Sequence, residues 1–260
     1  TTSGNGKYAC LLVDFKTLQV VDVIPHRTYI ELYDYFKVIP QKELDNVKYI
    51  VSDMFENYYK IARFFFHKAT YLVDAFHLIR LVSESFNRVR IRVMKMYNSS
   101  SYQYKALKKF WKVLLIRRDK VFNKTFEYNG KIVTTLEMID KIIRFDDELY
   151  RAYLLKEIFL DSYYRYNYDN AESFIETIIH SFETSNIQEF VTTGKTFRVW
   201  KHPIINSFIK LNDRRISNGP TEGINKKIKD IKRVSYGYSN FNNFRTRIMY
   251  TINKYTPYKF

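Results

Sequence analysis

Glu222 and the basic residues that follow it are the side chains whose types and spacing most clearly indicate chemistry. Glu222 lies just inside a predicted helix start. Five basic residues follow it within eleven positions: Lys226, Lys227, Lys229, Lys232 and Arg233. A carboxylate among so many cations suits a site that holds a metal ion while binding a polyanion. The alternative is a solvated, lysine-rich surface helix with a glutamate in its first turn, where glutamate is favoured.

The spacing of these residues places several of them on one helical face. Separations of four, three and four residues bring side chains to the same face of a helix with about 3.6 residues per turn. The residues aligned in this way are Glu222, Lys226, Lys229 and Arg233, with Asn225 beside them. The sequence therefore predicts a cationic helix face with one carboxylate embedded in it.

The charge balance limits what the partner can be. The 260 residues include 43 Lys and Arg against 27 Asp and Glu, a formal charge of +16. Such an excess indicates a polyanionic partner, either nucleic acid or an anionic membrane. No apolar run approaches about 18 residues, which excludes a spanning helix. The basic residues are also spread along the whole chain rather than gathered in one amphipathic helix. Nucleic acid is therefore the expected partner, with no membrane role.

The single cysteine, Cys10, limits the covalent and metal chemistry of the chain. One cysteine excludes a disulfide framework and any cysteine-rich zinc module. Cys10 lies in an apolar run, so we interpret it as a small buried hydrophobic residue in a strand. We find no signal-peptide pattern. A reduced, intracellular setting is expected.

The first 75 residues alternate short apolar runs with helical patterns. Strands are predicted at 8–14, 19–24, 47–52 and 70–73, and helices at 29–37 and 55–66. This order favours an α/β unit with one mixed sheet. Asp53 and Asp74 each follow a predicted strand directly, and functional groups gather at the carboxyl ends of parallel strands.

From about residue 76 to 215 the pattern becomes helical. Leu78, Val82 and Phe86 begin an apolar stripe at helical spacing. Asn129-Gly130 marks a turn, for which a short hairpin is one interpretation. We therefore predict two domains. An α/β core comprises 1–76 and 216–260, and an all-helical insertion comprises 77–215.

Several segments together resemble the ISL-three family of DDE transposases from bacterial insertion sequences. They are VVDVIPHRT at 20–28, IVSDM at 50–54, LVDAFHLIR at 72–80, SNGPTEGINKKIKDIKR at 217–233 and YGYSNFNNFRTRI at 236–248. The resemblance covers nearly the whole chain. It implies an RNase H-like mixed sheet interrupted by a large helical insertion before the glutamate-bearing helix.

The resemblance also assigns metal ligands. It implies that Asp53 is the second and Glu222 the third acid of a trio that binds Mg²⁺ or Mn²⁺. Such ions prefer the hard oxygen ligands that carboxylates supply. Asp74 and His77 are similar to an Asp-x-x-His signature of this branch. For these two residues, we favour hydrogen bonding that holds the strand-to-helix junction over direct metal ligation.

The first acid of the trio is expected to be absent. In the family it lies on a strand that would precede the opening TTSGNGKY segment, so we interpret the chain as lacking that strand and the N-terminal DNA-binding modules. Asp14 and Asp22 are the nearby substitutes. Asp14 ends a predicted strand, and we favour turn formation over metal binding as its role. Asp22 lies in mid-strand.

Other residues are expected to contact DNA. Arg27, Lys226, Lys229 and Arg233 would bind phosphates. Trp111 and Trp200 lie in basic surroundings, and one could stack on a displaced base, although burial in a helical core is the commoner fate of tryptophan. Tyr236 and Tyr238 belong either to a DNA-contacting loop or to a helix-ending turn, and the sequence leaves both interpretations open.

The sequence thus predicts the catalytic region of a DNA transposase. It would cleave and join phosphodiesters at transposon ends with Mg²⁺ or Mn²⁺, in the bacterial cytoplasm at the nucleoid. The resemblance also allows a homodimer. The competing hypothesis is a non-catalytic nucleic-acid-binding protein derived from a transposase, because the first acid is expected to be missing.

Overall fold

The computed structural model describes residues 8–253. These residues form two compact units. Unit 1 consists of the described residues up to Asp74 and from Ile216 onward, and unit 2 runs from Ala75 to Arg215. None of the helices within 8–253 is both long and apolar enough to cross a membrane.

The first segment of unit 1 contains β1 (Cys10–Val13), β2 (Val20–Ile24), α1 (Tyr29–Phe36), α2 (Gln41–Leu44), β3 (Tyr49–Ser52), α3 (Glu56–Phe65) and β4 (Thr70–Val73). Unit 2 contains α4 (Ala75–Met96), α5 (Tyr102–Lys109), α6 (Trp111–Leu115), a 3-10 turn (Arg118–Lys120), β5 (Thr125–Tyr128), β6 (Lys131–Thr134), α7 (Thr135–Ile143), α8 (Asp147–Arg165), α9 (Tyr168–Glu183), α10 (Gln188–Val199), α11 (Lys201–Asn206), β7 (Lys210–Leu211) and β8 (Arg214–Arg215). The chain then returns to unit 1 with α12 (Gly219–Val234) and α13 (Phe241–Ile252).

The prediction that the first four strands form one mixed sheet is wrong for the described residues. β1 pairs with β2 in antiparallel fashion, with Cys10 opposite Ile24. β3 pairs with β4 in parallel, with Ser52 opposite Val73. Within 8–253 no hydrogen-bonded ladder joins these two pairs. Apolar runs indicate which segments become strands, but they do not specify which strands pair. The α/β class is confirmed, and the RNase H-like core stays a prediction.

The prediction of an all-helical block at 77–215 is also wrong in one respect. Unit 2 is mostly helical, but it contains the hairpins β5–β6 and β7–β8. Asn129 (φ 53°) and Gly130 (φ 73°) form the turn of the first hairpin, which confirms the turn predicted there. Asn212 and Asp213 also have positive φ at the second turn. An Asn-Asp pair is a weaker turn signal than Asn-Gly, so the sequence did not reveal it.

Alternate residues of β1 face two different helical layers. Cys10 packs in a cluster with α1 and α3, whose buried members include Leu32, Phe36, Ile61 and Phe65. Leu11 and Val13 pack on the other side, against Ile224 of α12 and Ile248 of α13. This alternation is the two-residue period of a strand that is covered on both faces. The β1–β2 pair therefore forms the middle layer of unit 1.

A partly buried ion pair links β2 to α13. Asp22 is 7% exposed, and both of its oxygens accept hydrogen bonds from the Arg245 guanidinium, one of them at 2.9 Å. The Val23 amide (2.6 Å) and the Tyr35 hydroxyl (3.0 Å) donate to it as well. Burial alone would raise the pKa of Asp22, but these hydrogen bonds outweigh it and hold the pKa below its usual value. The hydrogen bonds of Asp22 thus stabilise the fold of unit 1.

We predict that Asp22→Asn lowers the free energy of unfolding of unit 1 by about 2–3 kcal/mol, because Arg245 loses its charged acceptor. The lowered folded-state pKa means that this stabilisation is present above the ordinary carboxyl pKa of about 4. It is lost as the pH falls through the folded-state value. Urea unfolding between pH 7 and pH 2 measures both effects. Asp34→Asn removes an exposed pair with Lys37 and is the matched control, with a change near zero. Equal stability of the two variants at pH 7 would contradict the prediction.

Candidate functional site

Two aspartates lie side by side where β3 and β4 end. The parallel register places Ser52 opposite Val73, so Asp53 and Asp74 are the next pair. The Asp74 amide donates to the Ser52 carbonyl (2.8 Å), which extends the ladder to this point. Neighbouring strands are about 4.8 Å apart, and paired residues lie on the same face of a sheet. Two carboxyl-bearing residues therefore share one end of this pair of strands.

Three neighbouring groups hold the backbone of Asp53. Its carbonyl accepts a hydrogen bond from the Phe55 amide (2.8 Å) and lies within hydrogen-bonding distance of the Ser52 hydroxyl (2.8 Å) and the Tyr71 hydroxyl (3.3 Å), one of which donates to the other. The carboxylate is different, because its Oδ1 atom is buried and has no hydrogen-bond partner among the described residues. A buried oxygen without a partner is costly unless a cation or a donor from outside the chain satisfies it. Asp53 thus has a fixed backbone and an unsatisfied carboxylate.

Asp74 connects the end of β4 to the start of α12. Its side chain is buried, and Oδ1 accepts a hydrogen bond from the Asn218 amide (3.0 Å), 144 positions along the chain. Asn218 is the N-cap residue of α12, and its own side chain makes no capping bond. Asp74 therefore supplies an acceptor at this helix end, where a negative charge is also favoured. The other oxygen, Oδ2, is buried and lacks a partner in the described part of the chain.

Glu222 lies one helical turn beyond this anchor. Its amide donates a hydrogen bond to the Asn218 carbonyl (3.2 Å). The two residues are about 6 Å apart along the helix axis. Ile224 and Ile228 pack inward on the β1–β2 layer. The remaining predicted residues of α12 all lie exposed: Glu222, Asn225, Lys226, Lys229 and Arg233. The inward isoleucines thus leave the basic residues and Glu222 open to solvent.

The described residues contain no group of three or more His, Cys, Asp or Glu side chains suited to holding a metal ion. In the structure, Asp53 lies beside Asp74, and Asp74 is hydrogen-bonded to the start of α12. Glu222 does not join them in such a group. Two carboxylates with unsatisfied oxygens nevertheless fit a divalent ion, since Mg²⁺ is commonly held by one or two carboxylates together with water and phosphate oxygens.

Arg27 lies between two aromatic rings. Its guanidinium carbon is 4.8 Å from the centre of the Tyr8 ring and 4.5 Å from that of Phe55. The Nε atom is buried and has no hydrogen-bond partner within 8–253. The Arg27 amide donates to the Tyr8 carbonyl (3.2 Å), which fixes the backbone. This arrangement holds a cation in place while leaving hydrogen-bonding capacity unused.

Arg27 and Asp53 act electrostatically on the same buried groups. Burial raises the pKa of the Cys10 thiol to about 11, and a hydrogen bond with Tyr58 opposes this. The Asp53 charge raises the same pKa further and the Arg27 charge lowers it. Burial is the main cause that raises the pKa of Tyr58; the Asp53 charge raises it further and the Arg27 charge lowers it. A carboxylate and a guanidinium thus lie near the same Cys10–Tyr58 pair. The burial of Cys10 in β1 confirms its interpretation as a core residue.

The structure distinguishes the aromatic residues predicted to contact DNA. Tyr238 packs on Phe244, with ring centres 4.9 Å apart, whereas Tyr236 is fully exposed. Trp111 begins α6 and is 38% exposed, and Trp200 is the half-buried C-cap of α10. Both tryptophans and His77 belong to unit 2.

Three residues that shape the site are not predicted from the sequence: Ser52, Tyr71 and Asn218. Ser52 and Tyr71 hold the Asp53 carbonyl, and their hydroxyls lie 2.5 Å apart. Their role depends on strand register, which the sequence does not specify. Asn218 had a usable signal, because the following Gly219-Pro220 places proline in the first turn of α12.

We predict that Asp74→Ala speeds hydrogen exchange in the first turn of α12, because the Asn218 amide loses its acceptor. A hydrogen bond to a charged group is worth about 1.5–3 kcal/mol, so exchange should rise by about tenfold to a hundredfold. Asp74→Asn keeps an acceptor oxygen and should largely retain protection. Asp230→Ala, on the exposed side of the same helix, is the matched control. Unchanged exchange in Asp74→Ala would show that the bond does not hold α12.

Comparisons with known proteins bear on what this site does. A protein of Lactococcus lactis subsp. lactis, named an ATP-dependent protease, is 29% identical over 127 residues. These residues cover 48% of this chain and 37% of that protein, so the chain spans well under half of the relative's length. No solved structure matches the chain. A family model described as a transposase, the DDE transposases of the ISL-three type, matches residues 2–248. Because that match spans most of the sequence, this chain belongs to the ISL-three family of DDE transposases.

Proposed function

We propose that this chain is the catalytic region of a DNA transposase that cleaves and joins phosphodiesters at transposon ends. Family membership supports transposition in general. The observation that supports the catalytic role is the pair of buried, unsatisfied carboxylate oxygens, Asp53 Oδ1 and Asp74 Oδ2, at adjacent strand ends. A purely structural pair would be expected to have its hydrogen bonds satisfied within the protein.

Asp53 and Glu222 are proposed to hold the Mg²⁺ or Mn²⁺ ions. Bound ions of this kind activate a water or a 3′-hydroxyl and stabilise the leaving oxygen. The chain's own contribution is to position the ligands. Hydrogen bonds to its carbonyl fix the backbone of Asp53, and the Asp74–Asn218 bond fixes the start of the helix that carries Glu222. The two carboxylates should approach within roughly 10 Å when ions and DNA are bound.

Binding of DNA is assigned to the exposed basic residues of α12, with Asn225 beside them, and to Arg27. Arg233 has one exposed ion pair, with Asp230 at 3.1 Å, while the lysines of this face have none in the described structure. Unpaired surface cations can bind phosphates without first breaking internal salt bridges. Trp111, Trp200 and Tyr238 remain proposed contacts, and His77 a supporting residue, on resemblance alone.

Neither of the nearby substitutes for the first acid of the trio, Asp14 or Asp22, has a free carboxylate. Asp14 accepts hydrogen bonds from the amides of Lys16 (2.7 Å) and Thr17 (2.9 Å), which is the turn role expected for it. Asp22 is held by Arg245. With both acids engaged, residues 1–260 alone are proposed to bind DNA without cleaving it. A non-catalytic DNA-binding role is therefore the second candidate function.

The name of the Lactococcus relative does not alter this proposal. Gly194-Lys195-Thr196 has the sequence that ends a nucleotide-binding loop, but these residues lie inside α10 rather than between a strand and a helix. Gly194 serves close packing of α10 on α9, since an added Cβ would lie 2.8 Å from Glu183 Cγ and 3.1 Å from Phe182 Cβ. Packing between helices explains this glycine without a nucleotide.

We predict that replacing Lys226, Lys229 and Arg233 with glutamine weakens duplex binding and flattens its salt dependence. Each lost phosphate contact should reduce the log–log slope by about 0.9, or about 2.7 for all three. Fluorescence anisotropy at several salt concentrations measures the slope. Glutamine at the exposed Lys42, Lys60 and Lys68 removes the same charge elsewhere in unit 1 and is the matched control. Equal slopes for the two triple variants would exclude α12 as the DNA-binding face.

We predict that a protein with a complete catalytic core loses Mg²⁺-dependent nicking, by at least about a hundredfold, on Asp53→Asn or Glu222→Gln. DNA affinity should change little, because neither carboxylate contributes to phosphate binding. Nicking of a labelled transposon-end duplex, with binding measured in parallel, tests this. Glu31→Gln, outside the proposed site, is the control. Full nicking by Glu222→Gln would contradict the assignment, and nicking by residues 1–260 alone would show that these residues supply every ligand that the reaction needs.

A further inference from the structure

Helix α12 ends in a turn whose left-handed residue is a tyrosine. The Tyr236 amide donates to the Arg233 carbonyl (3.2 Å), and the Gly237 amide donates to the Lys232 carbonyl (3.1 Å). These two bonds define a Schellman motif, in which the residue with positive φ is usually glycine. Here that residue is Tyr236, with φ 52°, and the glycine follows one position later. In this conformation the Cβ atom of an L residue lies too close to the following carbonyl oxygen, so the backbone is strained.

Among residues 8–253 no packing compensates for this strain, because Tyr236 has 101% of its reference accessibility. Tyr238, two residues later, is the opposite case, because it packs on Phe244 and its hydroxyl lies 2.9 Å from the Ser235 hydroxyl. One tyrosine of this turn therefore stabilises the α12–α13 junction. The other tyrosine combines a strained backbone with a fully exposed ring, which indicates that the ring contacts a partner outside the described residues.

The position of the ring indicates what kind of partner it meets. Lys226, Lys229 and Arg233 lie exposed on α12, and Tyr236 follows Arg233 by three residues. The distance from Lys226 to the end of the helix is about 12 Å along the axis. A nucleic-acid strand bound along these cations would end at an exposed aromatic ring. Cationic tracks that end in aromatic platforms bind single-stranded nucleic acid, with phosphates on the cations and bases on the rings.

We propose that Tyr236 stacks on an unpaired base of DNA whose phosphates are bound by the basic face of α12. The inference rests on the proposed DNA-binding function and adds the form of DNA that is recognised. Bases inside a duplex already stack on both sides, so an exposed ring gains most from a base that has left the stack. Such stacking is worth enough to change affinity by about fivefold to 150-fold per base.

The test compares two duplexes that differ in one unpaired base. The 260-residue chain is titrated with a duplex that carries a single unpaired 2-aminopurine and with the same duplex fully paired. Stacking on tyrosine should quench the unpaired base. Tyr236→Gly should lower affinity for the unpaired-base duplex by about fivefold to 150-fold and abolish the quenching. Affinity for the paired duplex should stay within about twofold, because the phosphate contacts are intact.

The same variant has a second readout that a merely structural tyrosine would not give. Glycine relieves the left-handed strain, so Tyr236→Gly should raise the unfolding midpoint of unit 1 by about 3 °C while it weakens binding. Tyr236→Phe keeps the ring and should retain the preference for the unpaired base. Tyr250→Ala removes an exposed tyrosine from α13 and is the matched control.

Two outcomes would overturn the inference while leaving the proposed function standing. The first is salt-dependent binding of both duplexes with no effect of Tyr236→Gly on the unpaired-base duplex. The second is a lower unfolding midpoint in Tyr236→Gly, which would make the ring structural. If the unchanged chain binds neither duplex, the proposed function fails, and the inference fails with it.

Discussion

The hydrogen bond from the Asn218 amide to Asp74 is the contact on which the arrangement of the site depends. It joins two segments of unit 1 that all of unit 2 separates in sequence. The N-cap side chain of α12 makes no capping bond, so the acceptor at this helix end comes from β4. A buried carboxylate supplies both a hydrogen bond and a favourable charge at that point. This bond therefore fixes the position of the start of α12, and with it Glu222, relative to the strand end that carries Asp53.

Four aspartates of unit 1 show how local environment divides their roles. Asp14 shapes a turn through backbone amides, and Asp22 is neutralised by Arg245. Asp53 and Asp74 each retain a buried oxygen without a partner among the described residues. A carboxylate that the protein itself satisfies has no need of a metal, whereas one left unsatisfied at a strand end is available to hold one. We therefore propose metal binding at the strand end that carries Asp53, whereas Asp14 and Asp22 stabilise the fold.

Much of unit 1 could be predicted because its signals are local. The segments around β1 to β4 show apolar runs, and the start of α12 is marked by Gly219-Pro220 with Glu222 in the first turn. Pairing could not be predicted. The sequence predicts that the four strands form one sheet, but the described structure contains two separate pairs. Hydrophobic runs are compatible with several pairings and registers, so they do not specify which strands pair.

Long-range polar contacts also could not be predicted from the sequence. The Asp74–Asn218 bond spans 144 positions, and the fully buried Lys156 of unit 2 donates to the carbonyls of Leu114 (2.7 Å) and Ile116 (3.2 Å). A lysine in a helical pattern ordinarily indicates a surface position. Tyr236 shows the same limit at short range. Its sequence allowed a helix-ending turn or a DNA-contacting loop, and the structure shows that one tyrosine packs while the other is exposed.

The central claim is that Asp53 and Glu222 hold the same metal site. Iron-directed backbone cleavage tests it most directly, because Fe²⁺ bound in place of Mg²⁺ generates hydroxyl radicals that cut the chain near its ligands. The account predicts cuts near both residue 53 and residue 222 in the DNA-bound protein. Excess Mg²⁺ should suppress them together, and either Asp53→Asn or Glu222→Gln should abolish both. Cuts near residue 53 that persist unchanged in Glu222→Gln would contradict the account.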